Sequence, residues 1–139
     1  MYATTNAAIA SGHSVLLVLC RRVIAELLID LIQSSTQMVA VGVYDFSRAR
    51  NMAQVRQPTL ALVEIPERNG EPAQEALDVC EDIKETSPGC KIMLMCPEQD
   101  GESVRRCADA KRKGAIEDYI FYDASPEYLV SKLESLLPA

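Results

Sequence analysis

Glu64 is the residue of this chain best placed for chemistry. It interrupts an apolar run set between two prolines, Pro58-Thr-Leu-Ala-Leu-Val-Glu-Ile-Pro66. A short apolar run of this kind reads as a strand buried on both faces, at the centre of a parallel sheet. The carboxylate then stands at the strand's C-terminal end, the edge where ligands and reactions collect in open α/β sheets. Five cysteines supply the other reactive groups, at positions 20, 80, 90, 96 and 107. Their odd number and the lack of a CxxC pair point to reduced thiols in a cytoplasm, not to a disulfide framework or a zinc site. Cys20 and Cys96 each end an apolar run, so both are expected on either side of Glu64. One reading activates a thiolate near Arg21 as a redox sensor. The plainer one makes the two thiols small buried hydrophobes. A Cys/Glu/Cys metal site lacks a fourth ligand. His13, the single histidine, precedes the first strand and has no nucleophile matched to it, so it makes no triad.

The elements that must position these groups follow from the periodicity. Ser14–Cys20, Met38–Tyr44, Lys91–Cys96 and Tyr119–Tyr122 read as four further strands around the central one. Between them lie helical patterns. The first places Ile24, Leu27, Leu28 and Leu31 on one face. The second, capped by Asp45 or Ser47, runs to about Arg56 with a weak apolar stripe. The third carries Ala73, Ala76, Leu77, Cys80 and Ile83. The fourth is capped by Asp100 and stopped at Gly114, with Val104, Cys107 and Ala108 inward. The last starts at Ser125-Pro126-Glu127 and turns Leu129, Val130, Leu133, Leu136 and Leu137 inward. Five alternations of strand and helix imply right-handed crossovers and a doubly wound parallel sheet covered on both faces, a three-layer α/β/α sandwich. At this length the flavodoxin-like order 2-1-3-4-5 fits, and it gathers Cys20, Glu64 and Cys96 around one crevice.

Length and composition agree with a single globular domain. The chain has 139 residues, nearly half of them apolar, and a net charge of −6. Residues 1–13 are expected to form a flexible arm and 14–139 the domain, with its last helix running to Ala139 and no output domain after it. The apolar stretches are too short to span a bilayer, and no secretory signal is visible. An acidic chain is a poor holder of nucleic acid.

Three stretches carry a resemblance to the receiver domains of two-component response regulators, the CheY-like fold. Pro58-Thr-Leu-Ala-Leu-Val-Glu-Ile is similar to the family's third strand. Lys91-Ile-Met-Leu-Met-Cys-Pro97 is similar to its fourth. Gly114-Ala115 with Tyr119-Ile-Phe-Tyr-Asp-Ala-Ser-Pro-Glu127 is similar to the fifth strand and last helix. The resemblance implies a self-phosphorylation that uses an acid pair for Mg²⁺, an acceptor aspartate, a Thr or Ser and a Lys. Here those positions fall on Cys20 and Arg21, on Glu64, on Cys96 and on Tyr122, so every group departs. Mg²⁺ asks for hard oxygen ligands, and the phosphate loses its ammonium partner. The expectation is a pseudo-receiver: a cytoplasmic signalling module acting through protein–protein contact, with no catalysis, no cofactor and no metal. Glu64 reads as a solvated carboxylate paired with Arg21, or as an imitation of phospho-aspartate.

The resemblance also implies an interaction face built from the fourth helix, fifth strand and last helix. Tyr119 matches the family's switch aromatic. Arg105, Arg106, Lys111, Arg112 and Lys113 form a basic stretch in an acidic protein. Such a stretch is an ordinary solvated helix face or a site for an acidic signalling partner; a homodimer through the same face is the other expectation. Two rivals stand beside this reading. One is an unorthodox phosphoacceptor using Glu64, with Mg²⁺ held by carboxylates such as Asp45 or Glu98. The other is a small-ligand or flavin module, which the glycine-poor loop Cys20-Arg21-Arg22 disfavours.

Overall fold

In the computed structural model, which describes residues 13–138, five parallel strands form one sheet: β1 (Ser14–Val18), β2 (Val39–Val43), β3 (Leu60–Glu64), β4 (Lys91–Cys96) and β5 (Asp118–Phe121). Their order is β2-β1-β3-β4-β5, as the alternation predicts. The expected N-terminal arm lies outside the described residues, apart from His13. The helices are α1 (Arg22–Ser35), α2 (Ala49–Arg56), α3 (Pro72–Thr86), α4 (Gly101–Lys113) and α5 (Pro126–Ser135).

Apart from Ser14, Glu64 and Lys91 at their ends, the central strands are apolar, so each feeds two cores. Leu60, Leu62, Met93, Met95, Val15 and Leu17 point to the layer that holds α1 and α5. Ala61, Val63, Leu94, Cys96, Leu16 and Val18 point to the layer of α2, α3 and α4. The two layers differ in chemistry. The first is filled by Leu, Ile and Met. The second takes small side chains from its helices, among them Ala49, Ala53, Ala73, Ala76, Cys80, Cys107 and Ala110. All four buried cysteines belong to it.

Helix ends follow the sequence signals. The Asp100 carboxylate accepts from the Glu102 N–H, and the Ser125 hydroxyl from the Tyr128 N–H. Gly114 ends α4 at φ 82°, a left-handed turn that suits glycine. Three expectations change. Neither Asp45 nor Ser47 caps α2; a 3₁₀ turn over Phe46–Arg48 intervenes, and the Ser47 hydroxyl donates to Asp45 instead. In α1 the buried stripe is Ala25, Leu28 and Ile32, while Leu27 is exposed. In α4 it is Ser103, Cys107 and Ala110, with Val104 half-buried and Ala108 exposed. Both shifts have one cause. The buried line of a helix is set by how closely its backbone approaches the sheet, and a small residue often takes the closest position. Among the described residues no helix is long and apolar enough to cross a membrane.

Candidate functional site

The C-terminal ends of β1 and β3 bring Glu64 against the loop that follows β1. Glu64 is the last residue of β3 and is 2 % exposed. A buried carboxylate needs partners, and the loop supplies them. The Cys20 N–H donates to its Oε1 at 2.8 Å, and the Arg21 N–H to the same oxygen at 3.4 Å. The Arg21 Nε–H donates to Oε2 at 2.5 Å, a charge-assisted bond. The expected pairing of Glu64 with Arg21 is therefore present, but the carboxylate is buried where solvation was expected.

Arg21 is held on its other side as well. Its guanidinium lies 4.2 Å from the centroid of the Tyr122 ring, and Arg22 lies 3.9 Å from that of Tyr44. Two arginine–tyrosine stacks thus pin the loop from both flanks. The Tyr122 hydroxyl donates to the Ile65 carbonyl. Burial, and then the Glu64 charge, raise its pKa. Arg21 occupies the crevice between β1 and β3, where a doubly wound sheet ordinarily receives a ligand.

Cys20 and Cys96 do not flank Glu64 as a matched pair. Cys20 gives Glu64 only its backbone N–H and is itself exposed. Its thiol is raised above the ordinary range, first by burial and then by the Glu64 charge. This is opposite to the activation expected of a sensor thiolate beside Arg21. On β4 the residue opposite Glu64 is Met95, whose sulfur lies 3.3 Å from Arg21 Nη2. Cys96 is fully buried in the other layer, where its thiol donates to the Pro97 carbonyl at 3.6 Å. Continuous apolar strands carry no alternation, so the sequence alone did not say which side of the sheet Cys96 would face.

Next to the filled crevice is a shallow cavity of about 330 Å³, lined by Glu67, Pro97, Glu98, Gln99, Tyr122 and Asp123. Its three carboxylates present negative charge to anything approaching Tyr122. Asp45 is bonded to Ser47, which lowers its pKa. Among the described residues no group of three or more His, Cys, Asp or Glu side chains could hold a metal ion.

On the expected interaction face, Tyr119 is half-buried and meets Phe121 edge-on, with ring centroids 6.0 Å apart. The five cations of the basic stretch all have local acidic or polar partners. Arg105 and Arg106 pair with Glu102, and Arg106 also reaches Gln74. Arg112 and Lys113 share Asp109, and Lys111 pairs with Asp118 of β5. The stretch keeps a positive excess over Glu102, Asp109 and Asp118, but a smaller one than the sequence alone suggests.

No protein-family model matches the chain, and no curated protein matches it by sequence. Solved structures do match in shape. A response regulator from Thermotoga maritima superposes with a TM-score of 0.71 over 89 % of this chain and 96 % of its own, at 16 % identity. With the strand order above, that likeness decides the architecture. The fold is that of a CheY-like receiver domain. An adenylate cyclase from Rhodopirellula baltica gives a TM-score of 0.76 at 10 % identity, covering 89 % of this chain and 86 % of the other. A protein described as one of a family of streptococcal redox sensors evolved from two-component response regulators gives 0.71 at 21 % identity. There the alignment spans 89 % of this chain and 50 % of its counterpart. At these identities the receiver likeness is one of fold alone.

Proposed function

We propose that this chain is a receiver-like signal-transduction module that works without phosphorylation, through contact with another protein. One observation carries this reading: the acceptor position is already filled. The Glu64 carboxylate is bonded by two backbone N–H groups and by the Arg21 side chain. An attacking oxygen at this position would have to give up the Arg21 bond and expel the guanidinium from the crevice. The group that would hold Mg²⁺ beside it is a thiol and a cation, and a metal that templates in-line attack has no carboxylate pair to sit on. The carboxylates at the neighbouring mouth, Glu67, Glu98 and Asp123, add repulsion toward a phosphodonor. The same filled crevice counts against a flavin or other phosphate-bearing ligand at the β1/β3 switch point. It also counts against Glu64 as an imitation of phospho-aspartate. Its carboxylate is committed to the loop after β1, while the fourth-strand residue on its side is the thioether of Met95.

The surface offered to a partner in this reading is the face of α4, β5 and α5. It combines Tyr119, the exposed Phe121 and Tyr128 with the positive excess of α4. An acidic signalling protein suits that face; a second copy of the chain is the other occupant it would take. The reading makes the chain a binding module, not an enzyme.

The deciding experiment is a two-dimensional NMR titration with Mg²⁺, and then with Mg²⁺ and beryllofluoride as a phosphoryl mimic. The expected result is no site-localised shift at Cys20, Arg21 or Glu64. Saturable shifts there that spread to Tyr119 and α4 would overturn the reading and restore phosphoacceptance at Glu64.

A further inference from the structure

α3 and α4 carry opposite charge, and a groove separates them. α3 has five carboxylates, Glu75, Asp78, Glu81, Asp82 and Glu85, against one lysine, Lys84. α4 has the five cations of the basic stretch against Glu102 and Asp109. The groove between the two helices has a volume of about 600 Å³. Asp78 and Glu81 line its α3 wall, Arg106 and Lys113 its α4 wall, and Leu77 and Ala110 its apolar part. We propose that this groove is a self-complementary docking face, on which a second copy of the chain seats its α4 on α3 and its α3 on α4.

The charges that face the groove are those the chain itself leaves uncancelled. On α3, Arg50 takes Asp82 and Glu85, Arg68 takes Glu75, and Lys84 turns to Glu117. Glu81 is exposed and has no ion-pair partner among the described residues, and Asp78 accepts from the Gln74 amide at 2.8 Å. On α4, Arg112 and Lys113 share the single carboxylate of Asp109, which leaves one positive charge over. Arg106 shares Glu102 with Arg105 and reaches across to the Gln74 side-chain oxygen. Among the described residues no ion pair joins α3 to α4, so the two walls stand opposite each other with their charges unspent.

Symmetry decides which wall each one meets. The parallel sheet returns α3 and α4 in the same direction. A two-fold axis along the groove lays the partner's α4 on α3 and the partner's α3 on α4, acid against base twice. A two-fold axis across the groove stacks each helix on its own copy, like charge on like, and is disfavoured. The Arg106–Gln74 contact sets those two residues level. Seven residues further along each helix stand Lys113 and Glu81, so Glu81 of each copy meets the partner's Lys113. Little of the lining is apolar, so charge holds this contact and it is a transient one. Arg106 and Lys113 also belong to the basic stretch, so a second copy in the groove competes with the acidic partner proposed for α4. The charge pattern does not depend on whether Glu64 accepts phosphate.

The test is sedimentation velocity on the whole chain over a concentration series reaching the millimolar range. Physiological ionic strength screens the repulsion between two chains of net charge −6. Wild type should pass from monomer to dimer as concentration rises. Glu81→Lys and Lys113→Glu each set like charges together at both symmetry-related contacts, and each should weaken the dimer roughly tenfold. The deciding sample is an equimolar mixture of these two variants. One chain then offers lysine at both positions and the other glutamate, every contact is again of opposite sign, and the dimer should return to the wild-type level or above. The exchanged chain Glu81→Lys/Lys113→Glu restores the same pairing within one sequence, and it keeps the test decisive where a single variant folds poorly. A wild type that stays monomeric overturns the proposal. So does a dimer that both single variants keep, which lies on another face such as that of α4, β5 and α5. A mixture and an exchanged chain no more dimeric than the single variants overturn it as well.

Discussion

Arg21 has two partners that the rest of the chain cannot replace. It neutralises a buried carboxylate through Nε and covers the Tyr122 ring with the face of its guanidinium. A lysine at this position would keep the charge but lose the planar fork and the stacking surface. Removing the side chain leaves Glu64 buried with only its backbone donors. Breaking a fully buried pair costs roughly 3–5 kcal/mol; Arg21 is 42 % exposed, so Arg21→Ala should cost less, about 2 kcal/mol in urea unfolding. Arg21→Lys should recover less than half of that loss. The double variant Arg21→Leu/Glu64→Leu should be more stable than Arg21→Leu alone, since no charge is then stranded. If Arg21→Ala unfolds at the same urea concentration as wild type, the pair is not what holds the crevice shut.

Asp118 opens β5 and joins elements from both sides of the sheet. Its carboxylate accepts from Lys111 of α4 at 3.1 Å, from Lys132 of α5 at 2.7 Å and from the Tyr119 N–H at 2.8 Å. Burial would raise its pKa, but these three donors outweigh burial and hold it below the usual carboxylate range. The native state therefore favours the charged form more than the unfolded chain does. The resulting stability is fully present above the ordinary aspartate value near 4 and is lost as pH falls through the lower native one. Asp118→Asn should cost about 1 kcal/mol at pH 7, and the gap from wild type should narrow by pH 3, measured by urea unfolding at each pH. A gap of constant size would mean that the carboxylate contributes by shape and not by charge. At this scale the sequence was legible where a signal is local. Alternation gave five strands and their order, Ser125-Pro126 a helix start, and Gly114 a helix end. The face of an element was less legible. Leu27 is exposed and Ala25 buried, because size and hydrophobicity rank residues without saying which lies nearest the sheet. The Glu64–Arg21 bond was legible from the strand order. The layer that Cys96 enters was not, since a strand without polar alternation can turn either face to either layer.

Taken as a whole, the molecule has one stiff layer and one loose one. On the α1 and α5 side, Leu28, Ile32, Leu129 and Leu133 fill the space against Leu60, Leu62 and Met93. On the other side, α2 and α4 present chiefly alanine, serine and cysteine to the sheet. Area lost from water sets most of the free energy that holds a helix down, at roughly 25 cal/mol per Å² of apolar surface. α2 and α4 should therefore open by themselves well before the sheet does. Native-state hydrogen exchange in low urea should show this order. Amides of Leu62, Val63 and Leu94, which lie in the three central strands or their ladders, should exchange only by global unfolding. Amides in the middle of α4 should exchange by local opening that is several-fold to orders of magnitude more frequent and little affected by urea. Exchange from α4 should therefore quicken with an exposed substitution that weakens the helix, such as Ala108→Gly. If exchange from α4 tracks global unfolding instead, the looseness of this layer has to be found in α2 alone.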